Sequence, residues 1–225
     1  MAALRLSVVD DFYPDPWAVR RYALSLRYQD ADNANDNLFY KGMLTTPFHP
    51  YAEAGLGLIA TALSKPVIWG APIGEFRLLL TQNKAADPKE DPKEDPKERA
   101  TWIHYDAMVA RYAALVYLNP DPQCEGGTSF YRHREFQLDA LPDLQSRQMA
   151  ELCRTANVDV AGVLETVKND GFAVDEKWDL LTSVPMRFNR CIIFDSRQFH
   201  ARTGAFGSTA LDGRLTQNYF FDIIE

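Results

Sequence analysis

The chain has 225 residues, 24 Lys and Arg against 31 Asp and Glu, a formal charge of −7 at neutral pH, and 46% apolar residues. This composition suits one soluble domain with a sizeable core, and the acidic balance argues against a nucleic-acid backbone or an anionic membrane as main partner. No apolar run reaches bilayer-spanning length, Asp10 and Asp11 interrupt any leader-like start, and Cys124, Cys153 and Cys191, with no CxxC pair, read as reduced thiols of a cytoplasmic protein.

The predicted elements begin with a strand over residues 4–11 (LRLSVVDD). Pro14 and Pro16 lead into PWAVRRYALSLRY, where the spacing of Trp17, Arg20, Arg21 and Leu24 predicts a helix with Pro16 in its first turn. Residues 30–37 (DADNANDN) show no core periodicity and are expected as a surface loop. A second helix is predicted across YAEAGLGLIATALS, stopped by Pro66. Both helices are expected to form a layer outside a sheet.

From Phe76 onward the texture becomes short β-like runs: FRLLLTQ, WIHYD, RYAALVYLN, TSFYR, MRFNRCIIFD, FHAR and RLTQNYFFDII. Short strands separated by turn signals predict a sandwich or barrel. Residues 119–123 (NPDPQ) and 125–127 (EGG) read as turns. A helical insertion is predicted over about 141–170, and the segments 189–195 and 215–223 are expected as the most buried strands. The chain thus divides into an N-terminal strand with supporting helices (1–75) and a β core (76–225) within a single domain. Residues 87–98 (DPKEDPKEDPKE) place proline at every fourth position, which excludes a helix interior or a central strand. A solvated loop is expected there. A lid is the alternative, because this segment feeds directly into the motif described next.

That motif is TWIHYDA. On an extended segment, side chains at i and i+2 leave one face, so His104 and Asp106 share a space from which Tyr105 points away. They form two-thirds of a two-histidine, one-carboxylate metal site, the type with open positions used by non-haem Fe(II) oxygenases. The chain has four histidines, and His200, in FDSRQFHAR, is the one flanked by strand-like sequence. Arg214 and Thr216, in GRLTQNYFF, lie on one face of the last strand and can grip a carboxylate through a guanidinium fork and a hydroxyl.

At this point the chain resembles the Fe(II)- and 2-oxoglutarate-dependent dioxygenases. The likeness rests on H-x-D, YLNPD with GGTSF, NRCIIFDSRQFHA and GRLTQNYFF, over roughly residues 100–222, and is nearest to the prolyl-hydroxylase-like branch. The resemblance implies a mainly β fold with flanking helices, a double-stranded β-helix (jelly-roll or cupin-like barrel). It implies iron on His104, Asp106 and His200, with the far carboxylate of 2-oxoglutarate on Arg214 and Thr216, joined by the Tyr117 hydroxyl. The implied reaction couples decarboxylation of 2-oxoglutarate and consumption of O2 to oxidation of an unactivated C–H bond. Related halogenases carry a small residue in place of the carboxylate, so Asp106 favours hydroxylation or a desaturation variant. Two departures set the chain apart from the prolyl-hydroxylase branch: arginine rather than lysine at 214, and a longer helical insertion.

Other residues stay open at this stage. Arg202, two after His200, shares its face and rivals Arg214 as the clamp, or meets substrate or Asp195. Asn119 and Thr128 either contact substrate or close turns; Trp102 lines a pocket or packs in the core. Arg132 and His133 sit at a solvated strand end or face the mouth, and His49 reads as structural. The expected substrate is a small molecule or an amino-acid or peptidyl side chain, walled by the insertion and the N-terminal helices. Two other functions fit the same letters: a catalytically silent jelly roll that binds a ligand or partner, and a cupin-like metalloenzyme that uses no keto acid. The sequence leaves the oligomeric state open.

Overall fold

The computed structural model describes residues 6–30, 42–46, 49–69, 74–81, 102–106, 110–204 and 206–224. The expected loop at 31–37 and the DPKE repeat at 87–98 lie outside the described residues, as do Leu4, Arg5 and Gln82 of the predicted strands.

Two antiparallel sheets make up the β core. The larger follows the order β1 (Leu6–Val9), β9 (Cys191–Asp195), β6 (Tyr112–Tyr117), β11 (Arg214–Ile223), β5 (Glu75–Leu79), β3 (Met43–Leu44) and β2 (Gln29–Asp30), with β4 (Val67–Trp69) also on β11. The smaller follows β10 (His200–Thr203), β7 (Gly127–His133) and β8 (Trp178–Pro185). Period-two alternation gives the large sheet two different faces. Ala114, Val116, Leu118, Leu215, Tyr219 and Phe221 enter an outer core with Val19, Ala23, Leu56 and Ile59 of two helices. Ala113, Tyr117, Ile192, Phe194 and Phe220 turn the other way, onto Phe130 and Val184 of the small sheet.

Those helices are α1 (Pro16–Ser25) and α2 (Pro50–Leu63). The Asp15 carboxylate caps α1 by accepting from Ala18 N at 2.9 Å, and Pro16 occupies the first turn, where no amide is needed. Ser64, left-handed at φ 52°, and Pro66 end α2. Both helices cover the outer face of the large sheet, the layer expected from the sequence. Their buried side chains therefore lie on the far side of that sheet from the inter-sheet space, and it is that sheet which walls the space on this side.

The insertion forms α3 (Arg147–Ala156), α4 (Val160–Asp170) and the short α5 (Val174–Lys177). Ser146 and Asp159 cap the first two through Met149 N and Gly162 N. Met149, Val163 and Val167 pack with Tyr131, Trp178, Phe199 and Ala201, closing the outer face of the small sheet.

Several strands differ from the sequence reading: β2, β3 and β4 are not among the predicted runs, and β2 takes Asp30 from the expected loop. MRFNRCIIFD is a strand only from Cys191, because Asn189 adopts φ 62° and turns the chain. WDLLTSVP, unassigned in the sequence, forms β8 on the edge of the small sheet, with five consecutive exposed residues that hide the alternation. WIHYD is also less than a full strand. His104 makes one isolated antiparallel bridge with His200, and Asp106 N donates to Ser196 O at 2.8 Å.

Candidate metal centre and carboxylate site

The His104–His200 bridge brings the two ends of the β core together. His104 N donates to His200 O at 2.9 Å and His200 N to His104 O at 2.8 Å, so backbone pairing sets the separation of the two imidazoles. Ligand atoms of His104, Asp106 and His200 all lie within 4.8 Å of one another. His104 Nε2 is 3.9 Å from Asp106 Oδ1, and His200 Nε2 is 3.5 Å from Asp106 Oδ2.

The protonation pattern follows from the partners on the other side of each ring. His104 Nδ1 lies 3.0 Å from Trp102 O, and His200 Nδ1 lies 2.8 Å from Gln198 O. A carbonyl oxygen only accepts, so each Nδ1 carries a proton and each ring turns its Nε2 toward Asp106. Burial holds the His104 pKa well below the usual imidazole value; the His200, Arg202 and Arg77 charges push the same way, and the Trp102 carbonyl opposes them. Two imidazole nitrogens and a carboxylate thus converge on one point. These three ligand atoms could hold a metal ion between them.

Ring contacts fix the ligands further. His200 packs against Phe194, with centroids 4.7 Å apart. Trp102 stacks on His104 at 4.8 Å with planes 6° apart. The insertion supports this stack: Ile103 N donates to Gly171 O at 2.9 Å, and a Cβ on Gly171 would stand 2.3 Å from Trp102 Nε1. Only glycine leaves room for the indole there. Trp102, expected as a pocket or core residue, thus lies directly behind a candidate ligand.

The predicted carboxylate site lies on the same inner face. Arg214, Thr216 and Asn218 of β11 pair in register with Leu79, Arg77 and Glu75 of β5, and Thr216 also pairs with Tyr117 of β6. The Arg214 guanidinium sits 5.6 Å from the centre of the Tyr117 ring and donates from Nη2 to Gly127 O at 3.4 Å. Its Nε is buried without a hydrogen-bond partner, an unmet cost that an acceptor on a bound molecule would remove. Tyr117 and Thr128 share a 2.8 Å hydrogen bond between the two sheets. Burial raises the Tyr117 pKa against the opposing pull of Arg214, so its hydroxyl stays protonated. The Thr216 hydroxyl donates to Asn218 Oδ1 at 2.9 Å.

Arg202 stands opposite Thr128, on the face of β10 that carries His200. Arg77, not singled out in the sequence, joins the inner row through the β5–β11 register and pairs with Glu75 at 2.5 Å. Nothing in FRLLLTQ identifies its facing until that register is known. Other predicted residues go elsewhere. Arg132 holds Asp139 at 2.5 and 3.1 Å, beyond the shift in β7–β8 register between Phe130 and Tyr131. His133 is fully buried against Asp170 and Trp178, and Asp195 pairs with Arg111 at 2.8 Å. Asn119 is buried against the backbone beside Arg214. His49 lies 2.5 Å from Gly74 O and stacks on Phe76.

Among the described residues, no helix is long and apolar enough to cross a membrane, and all three cysteines are unpaired. A family profile described as "Family of unknown function (DUF6445)" matches residues 2–221. No curated protein matches the chain in sequence. Among solved structures, the chain is similar to the non-heme alpha-ketoglutarate-dependent carbocyclase SnoK of nogalamycin biosynthesis, at 13% identity and a TM-score of 0.50, covering 97% of this chain and 79% of that one. The epimerase SnoN of the same biosynthesis matches at 13% identity and a TM-score of 0.48, over 97% of this chain and 77% of that one. HygX from Streptomyces hygroscopicus, crystallised with nickel and 2-oxoglutarate, matches at 13% identity and a TM-score of 0.48, over 97% and 82%. At such identity the likeness to SnoK bears on the fold alone.

Proposed function

We propose that this chain, which belongs to the DUF6445 family of unknown function, is a non-haem Fe(II)- and 2-oxoglutarate-dependent oxygenase. One observation carries the reading: two imidazoles, each locked by a carbonyl at Nδ1, turn their Nε2 atoms onto one carboxylate. Two nitrogens and a carboxylate on one side of a cation suit Fe(II) and leave its opposite positions for reactants. Bound there, the metal and 2-oxoglutarate would supply the oxidising power for an unactivated C–H bond.

In this reading the residues have distinct tasks. His104, Asp106 and His200 hold the metal. Arg214, with its buried unpartnered Nε, binds the far carboxylate of 2-oxoglutarate; the protonated Tyr117 hydroxyl and Thr216 border the same space. Arg202, opposite Thr128 and on the face of β10 that carries His200, is assigned to the nearer end of the cosubstrate or to substrate. Thr128 holds Tyr117 in place.

The YLN and GGTSF segments support kinship with the prolyl-hydroxylase-like branch, while Arg214 and the three-helix insertion separate the chain from it. Hydroxylation of a small molecule or an amino-acid side chain is the proposed outcome, in a cytoplasmic setting suited to the unpaired thiols. The test is succinate formation from 2-oxoglutarate by the purified protein. Formation that needs added Fe(II) and O2, and is lost in His104→Ala, is expected. Full metal loading with no 2-oxoglutarate binding would favour a catalytically silent jelly roll that binds a ligand or partner instead.

A further inference from the structure

Asn119 follows the end of β6, where the sequence reads as a turn, yet its side chain is fully buried. Its Nδ2 donates to Gly213 O at 2.8 Å, and its Oδ1 accepts from Leu215 N at 2.7 Å. One carboxamide therefore grips the backbone on both sides of Arg214. Leu118 N adds a bond to Leu215 O at 3.1 Å. The two main-chain groups that flank the clamp residue are thus held by β6 and its continuation.

Behind this grip stands Arg20, on the buried face of α1 and only 5% exposed. It donates to Leu118 O at 2.8 Å and to Leu211 O at 2.6 Å. Asn119 and Arg20 also share Gln123 Oε1, at 3.3 and 3.5 Å. All these acceptors are neutral oxygens. Burying a guanidinium against neutral acceptors is costly, and an apolar side chain of similar size would pack there at lower cost. What an apolar residue lacks is the fork that ties residue 118 to residue 211 across the entry into β11.

We propose that Asn119 and Arg20 form a brace that sets where the Arg214 guanidinium stands, so that both are positioning residues for the cosubstrate carboxylate. The proposal rests on the reading of Arg214 as the carboxylate clamp. It gives α1, which packs on the outer face of the large sheet, a role in an inner-face site. It also accounts for an asparagine in a segment whose two prolines alone would make a turn.

The test is an anaerobic titration of the Fe(II)-loaded full chain with 2-oxoglutarate, followed by the weak visible charge-transfer band of the chelate. Fe(II) affinity is measured in parallel. Asn119→Ala is expected to weaken 2-oxoglutarate about tenfold, the scale of a lost buried hydrogen-bonded contact, with Fe(II) affinity kept within about twofold. In an Arg214→Ala background the same substitution should add less than about twofold, because its effect acts through the guanidinium. Equal losses in both backgrounds, or a parallel loss of Fe(II) affinity, would overturn the brace. Arg20→Lys keeps the charge and loses the fork; it is expected to weaken 2-oxoglutarate in the same Arg214-dependent way, and it carries the test should Asn119→Ala not fold. Failure of the unsubstituted chain to give the chelate would instead remove the clamp reading, and the brace with it.

Discussion

The two ends of the inter-sheet site are built in contrasting ways. The carboxylate end lies in a regular ladder: Arg214 and Thr216 sit in β11, flanked by β5 and β6. The metal end hangs on an isolated bridge between His104 and His200, with Asp106 held by a single backbone bond from outside the ladder. What replaces the ladder there is side-chain support, from Trp102 behind one ring and Phe194 beside the other. Sheet register positions the proposed cosubstrate end, whereas packing from the insertion positions the candidate metal end. The two ends should therefore fail separately.

The largest effect is expected from the ligands. Alanine at His104, Asp106 or His200 should lower metal affinity and succinate formation by at least ~100-fold, above the range for groups that only support a ligand. Equilibrium dialysis and a succinate assay read the two losses, and the protein should remain folded, because the cores are formed elsewhere.

Next in size is the clamp. Arg214→Ala should raise the 2-oxoglutarate concentration needed for half-maximal turnover by roughly 10- to 100-fold, the worth of a charged hydrogen-bonded pair, while metal affinity stays unchanged. Arg202→Ala should cost less in that measurement. The reverse order would move the clamp from β11 to β10.

A smaller loss is expected behind the metal. Trp102→Ala removes the stack on His104 and should weaken metal binding about tenfold, with little change in 2-oxoglutarate affinity for the metal-saturated protein. Equal weakening of both ligands would show that the two ends are not separable.

The smallest effect is on stability against pH. Burial draws the pKa values of His49 and His133 below the ordinary imidazole value near 6.5. Each folded-state histidine then binds a proton less readily than its unfolded counterpart. Its contribution is complete above the unfolded value and is lost as pH falls from there through the lower folded value. Metal-free protein should unfold at lower denaturant concentration at pH 5.5 than at pH 7.5, and His133→Gln should flatten that difference. A slope of the opposite sign would mean that Asp170, 3.1 Å from His133, outweighs burial.

The same contrast explains what the sequence made legible. His104 and Asp106 could be placed together because two residues apart is one face of any extended segment. Arg214 and Thr216 followed from the same rule on a long, well-patterned strand. The inward facing of Arg77 depends on the β5–β11 register, which letters along one strand do not encode. Asn119 reads as a turn residue because its partners, Gly213 and Leu215, lie about a hundred residues away. MRFNR reads as strand because Asn189 supplies its left-handed turn without a glycine to announce it. β8 is hidden because an edge strand that exposes Leu180 and Leu181 loses the apolar alternation that marks a strand.

Crystals grown anaerobically with Fe(II) and 2-oxoglutarate give the most direct measurement. The account predicts one anomalous peak within bonding distance of His104 Nε2, His200 Nε2 and an Asp106 oxygen, with the far carboxylate of the keto acid on Arg214. Iron bound at any other place, or a keto acid that never approaches Arg214, would contradict it.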